Sequence, residues 1–134
     1  MFTEAERLEA ERRRLYQVLS QNGDFRRGSI SVNYRRCGKS TCACAKPDHP
    51  GHGPQYLLTT KVNGKTLAKN LHFGPELEKV EQELVNHQNF RELVKNIVTI
   101  NEQICDLKEA EIRAEETAKK GALKTGSKRK SSPN

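Results

Sequence analysis

Apolar residues in the first twenty positions recur at helical spacing. Ala5, Leu8, Leu15, Val18 and Leu19 form a partial stripe, interrupted by Arg12, in a segment dominated by Glu, Ala, Arg and Leu. A helix is expected over residues 4–20. Thr3 stands in the N-cap position with Glu6 three residues on, the capping-box spacing. Asn22-Gly23-Asp24 supplies a stop and a turn.

From Ser29 the period shortens to two. Ile30, Val32 and Tyr34 alternate with polar neighbours over residues 29–36, the pattern of a half-buried strand. Residues 37–55 are rich in Cys, Gly, Pro and His, which exclude regular structure. Tyr56 to Thr60 reads as a second strand and Lys65 to Leu71 as a third. Asn63-Gly64 between them suits a type I′ hairpin turn, because both residues accept positive φ. Three short strands therefore bracket the cysteine loop.

Gly74-Pro75-Glu76 opens a second helix, with Pro75 in the first helical position. No Gly or Pro interrupts the segment before about residue 117, so it would extend roughly 60 Å. Its apolar spacing fits either one long helix or two with a break near Asn86–Asn89. Propensity alone does not stabilise such a helix. It must lie on the first helix, on the sheet or on a second copy of itself. Val94, Ile97, Ile100, Ile104 and Leu107 form the expected interaction face, and they point to a coiled-coil-like contact that includes a homodimer. Residues 119–134 are basic and poor in apolar side chains, the composition of a disordered tail. The expected fold is α+β: an N-terminal helix (1–24), a zinc-stabilised antiparallel three-stranded β unit (25–74), a long amphipathic helix (75–118) and the tail (119–134).

Composition sharpens this picture. Hydrophobic residues are 34% of the 134 and Trp is absent, so the core is small and needs a metal, an oligomer or paired helices. Charge is segregated. Residues 26–74 hold nine basic side chains and one acid, Asp48, whereas residues 75–118 hold five basic and eleven acidic side chains. A local positive field concentrates polyanions. No apolar run is long enough to span a membrane, and the first residues lack a secretory pattern, so the cytoplasm is the expected location.

The chemistry lies in Arg36-Cys37-Gly38-Lys39-Ser40-Thr41-Cys42-Ala43-Cys44, a C-x4-C-x-C run followed by His49 and His52. Three thiolates and one imidazole make a closed tetrahedral shell for Zn²⁺. The fourth ligand is expected to be His52, directly before the second strand, with His49 as the alternate. Arg35, Arg36, Lys39 and Lys46 would favour thiolates and offset the negative charge of the site. A disulfide is disfavoured by a reducing compartment and by the awkward Cys42–Cys44 pair. His72 and His87 read as structural, and Cys105 as a small hydrophobe on the helix stripe. No residues suggest the base and orienting group of a nucleophilic cysteine, and no P-loop, triad or spaced carboxylate pair occurs, so the chain is not expected to be an enzyme.

The run Gly28-Ser29-Ile30-Ser31-Val32, then Arg36-Cys37-Gly38-Lys39, Cys42-Ala43-Cys44, His52-Gly53-Pro54, Gly64-Lys65-Thr66 and Leu71, followed by Asn89-Phe90-Arg91-Glu92-Leu93 on a helix, resembles a small uncharacterised bacterial zinc-knuckle family. Members of that family are often found beside transposases and integrases on mobile elements. The resemblance covers roughly residues 25–107 and implies Cys37, Cys42, Cys44 and His52 as the metal shell. Two departures stand out: a longer loop carrying His49, and Gln55 in place of a usual aromatic.

Two functional expectations follow. In the first, the chain is a zinc-binding accessory protein that contacts DNA or RNA backbone, with a recombinase or transposase as a protein partner. Arg26, Arg27, Arg35, Arg36, Lys39, Lys46, Lys61, Lys65 and Lys69 would meet phosphates, and Tyr34 or Tyr56 would stack on a base. In the second, the chain is an assembly adaptor that joins a partner through the acidic helix and the zinc unit.

Overall fold

Asn63 and Gly64 turn the chain with φ of 51° and 78°, and Val62 pairs with Lys65 across them, the two-residue hairpin expected of an Asn-Gly pair. The computed structural model describes the backbone of residues 1–126 and the side chains of residues 1–122. Helix α1 spans Glu4–Ser20, strand β1 Ser29–Arg35, β2 His52–Val62, β3 Lys65–Leu71, and helix α2 Pro75–Gly126. The sheet has the order β1-β2-β3 and both pairings are antiparallel. The architecture is the expected α+β arrangement. Two compact units divide the described residues: 22–91 form one, and 1–21 with 92–126 form the other.

In the unit of residues 22–91, cross-strand partners share a face of the sheet. Ile30, Leu58 and Lys69 form one row, and Val32, Tyr56 and Leu71 the next. Leu58, Leu71, Leu77 and Val80 are buried together, with Ile30, Tyr56 and Leu84 packed against them. The core thus sits between β2, β3 and the opening turns of α2. Val32 and Tyr34 are 53% and 51% exposed, although alternation predicted them half-buried. β1 is an edge strand that contributes only Ile30 to the core, and its register shifts between Asn33 and Arg35.

The segment before β1 is fastened to α2 by polar contacts. Asn86 donates to the Asp24 carbonyl at 2.8 Å, and Asn22 donates to the Asn86 carbonyl at 3.2 Å. Glu83 is a buried carboxylate held by Lys79 at 2.5 Å and Arg26 at 2.8 Å. Lys79, then Arg26, keeps it below the usual carboxylate range. Phe25 stacks on Phe90 with ring centroids 4.7 Å apart and on His87 at 5.8 Å. His87 is therefore structural, and so is His72, which bonds Glu76 through its amide and its ring.

In the other unit, the capping box forms as expected: Thr3 accepts from the Glu6 amide and Glu6 from the Thr3 amide. Arg12 donates to Asn101 at 2.9 Å, and Glu9 pairs with Lys108 at 3.4 Å. Later residues of α1 thus meet earlier residues of α2, so the helices run antiparallel. Leu15, Ile97 and Ile104 are the buried apolar residues of the pair. Arg12, which seemed to interrupt the apolar stripe, lies half-buried on it, with Asn101 as hydrogen-bond acceptor and Glu9 as its ion-pair partner at 3.7 Å. Val18 leaves the stripe and is 41% exposed.

Three expectations are corrected. β2 starts at His52, inside the segment whose composition was expected to exclude regular structure, because pairing with β1 from Arg35 onward extends it. α2 is continuous through residues 86–89 and runs to Gly126, so residues 119–126 are helical and not tail. Ala118, Lys119, Lys120, Ala122 and Leu123 are good helix formers, and Gly121 costs only about 1 kcal/mol within them. The remaining tail residues, 127–134, lie outside those described. Cys105 is exposed, because one residue beyond buried Ile104 turns about 100° off the apolar face.

Replacing Leu58, 3% exposed, by Ala should lower the unfolding free energy by about 2–5 kcal/mol. The same change at Leu67, 52% exposed, should cost under about 0.5 kcal/mol. Urea titrations of both variants check the difference.

Candidate metal centre

Residues 36–51 lie between two strands and have no ladder of their own, so their polar groups need other partners. Short turns satisfy some of them. Cys42 donates its amide to the Lys39 carbonyl, Ala45 to Cys42, Lys46 to Ala43 and His49 to Lys46, at 3.0–3.2 Å. The single 3₁₀ turn Ala43–Ala45 carries Cys44 inward, where it is 1% exposed. Arg36 adds donors to three carbonyls of the loop. Its guanidinium donates to the carbonyls of Cys44, of Lys46 at 2.9 Å and of His49 at 2.6 Å.

His52 opens β2 opposite Arg35 at the end of β1. Its neighbours Gly51 and Gly53 have φ of 102° and 152°. A Cβ on Gly51 would stand 3.1 Å from the Arg35 backbone, and one on Gly53 would stand 2.8 Å from the Asn33 carbonyl. Only glycine permits so close an approach of the two strands, and that approach carries the imidazole to the cysteines.

The Sγ atoms of Cys37, Cys42 and Cys44 and a ring nitrogen of His52 lie within 4.8 Å of one another. Cys37 Sγ is 3.5 Å from Cys44 Sγ, and Cys42 Sγ is 3.3 Å from His52 Nε2. Sulfur ligands about 2.3 Å from a central ion sit about 3.5–3.8 Å apart along a tetrahedral edge. The donor set therefore fits a four-coordinate soft or borderline metal. The Cys37 amide also donates to Cys44 Sγ at 3.5 Å, a bond that stabilises a thiolate. Without a metal, the Cys37 thiol is pushed down to about 6, first by the Lys39 amide and then by His52 and Cys44. The Cys37 amide also pulls the Cys44 thiol down, but burial and the neighbouring thiols outweigh it and leave Cys44 raised. One thiolate is thus ready at neutral pH to receive a cation.

His49, the alternate ligand, turns away from the cluster. Its Nδ1 accepts the Gly51 amide at 3.0 Å, so it closes its own loop and His52 takes the fourth position. Cys37 and His52 are exposed. A cleft of about 300 Å³ lies beside them, lined by Arg35, Gly53, Pro54 and Gln55.

The expected phosphate contacts divide into two groups. Arg26 is engaged by Glu83, and Arg36 by the loop carbonyls. Arg27, Arg35, Lys39, Lys46, Lys61 and Lys65 make no ion pair among the described residues. Lys69 contributes, after His72, to lowering the Glu76 carboxyl. Tyr34 is half-exposed and Tyr56 tilts against Phe73 at 5.9 Å. Of the interaction face on α2, Ile97 and Ile104 are buried, Ile100 and Leu107 half-buried, and Val94 36% exposed. Sequence reasoning missed the structural duty of Arg36. The signal available for it was a loop with more carbonyls than amide partners.

A family described as "Domain of unknown function (DUF6788)" matches residues 5–82. The match takes in α1, the metal loop, the whole sheet and the first turns of α2, and so starts earlier and ends sooner than the resemblance drawn from the motifs. No curated protein and no solved structure matches the chain.

His52→Ala should lose bound metal and lower the melting temperature, whereas His49→Ala should keep one metal ion per chain; elemental analysis with thermal melting distinguishes them. Arg36→Lys keeps the charge but not the fork that grips three carbonyls. Its metal affinity should fall about tenfold or more in a chelator competition.

Proposed function

This chain belongs to the DUF6788 family, and from that premise we propose that it is a non-enzymatic zinc protein whose basic β unit binds the phosphate backbone of nucleic acid. The single observation that carries this reading is the distribution of unpaired positive charge. Of the nine basic side chains in residues 26–74, only Arg26 has an ion pair among the described residues, and Asp48 is the one acid there. Zinc supplies the shape. A Cys₃His donor set suits Zn²⁺ by softness and geometry, and four protein ligands leave the ion no open position, as in structural sites. Arg35, Lys39 and Lys46 surround the negatively charged shell and extend the positive field beyond it.

Backbone contacts confer affinity and salt dependence, and base contacts confer sequence reading. The unpaired side chains here are mostly lysines on a loop and a small sheet, so the protein binds with low sequence preference. The resemblance to proteins found beside transposases and integrases supports reading such a module as an accessory of DNA recombination.

A second reading draws on α2. Val98 and Ile112 are 50% and 58% exposed on a predominantly acidic helix, which suits a protein partner or a second copy. A solution mass of one chain at high concentration removes the self-association version.

Fluorescence anisotropy with random duplex and single-stranded oligonucleotides should show binding that weakens steeply between 50 and about 200 mM salt. Absence of binding at low salt, with the metal retained, overturns the nucleic-acid reading.

A further inference from the structure

A second polar cleft lies at the end of the sheet away from the metal loop. It encloses about 450 Å³ and is lined by Arg27, Gly28, Ser29, Thr59, Thr60, Lys61 and Thr66. The register explains why these side chains meet. Ser29 pairs with Thr59, and Lys61 pairs with Thr66, so all four project from the face opposite the Leu58–Leu71 core. Gly28, at φ 141°, brings Arg27 to the same place. A Cβ there would stand 2.9 Å from the Thr59 carbonyl, so only glycine lets the chain run this close to β2.

The lining has a consistent chemistry: two cations, four hydroxyls and no carboxylate. Neither Arg27 nor Lys61 has an ion pair among the described residues, and both are exposed. A guanidinium fork, an ammonium and short hydroxyl donors match a tetrahedral oxyanion, with the arginine able to take two oxygens at once. We infer that this cleft is a phosphodiester-binding subsite, in which Arg27 and Lys61 neutralise one or two backbone phosphates while Ser29 and Thr66 donate to their free oxygens. The inference rests on the nucleic-acid reading above and directs it. Arg35 and Ser29 stand six residues apart on β1, roughly 20 Å at strand spacing. A backbone lying along β1 therefore meets this cleft at one end and the basic metal loop at the other.

The test uses the full, metal-loaded chain and anisotropy titrations over a range of salt. The double variant Arg27→Gln with Lys61→Gln should bind duplex about tenfold or more weakly at low salt, and its salt slope should fall by about 2. Ser29→Ala with Thr66→Val should weaken binding about three- to tenfold with the slope unchanged, since it removes donors but no charge. Arg91→Gln with Lys95→Gln loses two charges on α2 and should leave the slope as it was. Metal content and circular dichroism confirm that each variant is folded. If the wild type binds and the hydroxyl variant binds equally well, the cleft is only part of a diffuse positive surface and the subsite is overturned, with the broader reading intact. A wild type that binds no oligonucleotide removes both. Displacement of the oligonucleotide by inorganic phosphate at constant ionic strength assigns the cleft to a free dianion and overturns the backbone assignment.

Discussion

Three sulfur atoms and one imidazole nitrogen brought within 4.8 Å of one another are the constraint on which the β unit depends. The loop that carries the sulfurs has no strand pairing and only Cys44 as a buried apolar residue. Left to side-chain burial alone, it could not offset the conformational entropy of its own ordering. A metal ion held by these four side chains would supply that missing free energy, as it does in other small folds that lack a core. Arg36 does the complementary task on the outside of the loop, where its guanidinium collects the carbonyls of Cys44, Lys46 and His49.

This division of labour also shapes the electrostatics. Arg36 and Arg26 spend their charge on internal acceptors, the loop carbonyls and Glu83. The charges that stay outward are those of Arg27, Arg35, Lys39, Lys46, Lys61 and Lys65. They are spread over the metal loop and the sheet, while the core-forming face of the same sheet turns toward Leu77 and Val80. Thiolates in the cluster would carry an opposing charge, which the neighbouring cations would offset.

The helical unit shows how a short, polar-looking sequence forms a stable pair. Few apolar residues are available, and among the described residues only Leu15, Ile97 and Ile104 are buried there. Polar bridges set the alignment, with Arg12 against Asn101 and Glu9 against Lys108. Asn101 works in two directions, since its amide also donates to the Ile97 carbonyl within its own helix. A charged side chain in an apolar stripe is therefore a register marker in this pair and not a defect.

Much was legible from residue order because its causes are local. Alternation, the Asn-Gly turn, the Thr3–Glu6 cap and Pro75 each act within a few residues; α1, β3, the turn and the start of α2 formed where the pattern placed them, while β2 begins at His52, four residues before its expected start. The donor set was also legible, since C-x4-C-x-C followed by histidine has few other physical uses in a loop. What residue order left open were choices between equivalent neighbours. His49 and His52 differ in distance along the chain by only three residues, yet the glycines beside His52 let its strand close on β1, while His49 is consumed by the Gly51 amide. Whether an arginine faces a carboxylate, a carbonyl or open water depends on which segments lie beside it. Arg26, Arg36 and Arg27 look alike in the sequence, and only tertiary packing, which brings distant backbone and side chains to each, separated their roles.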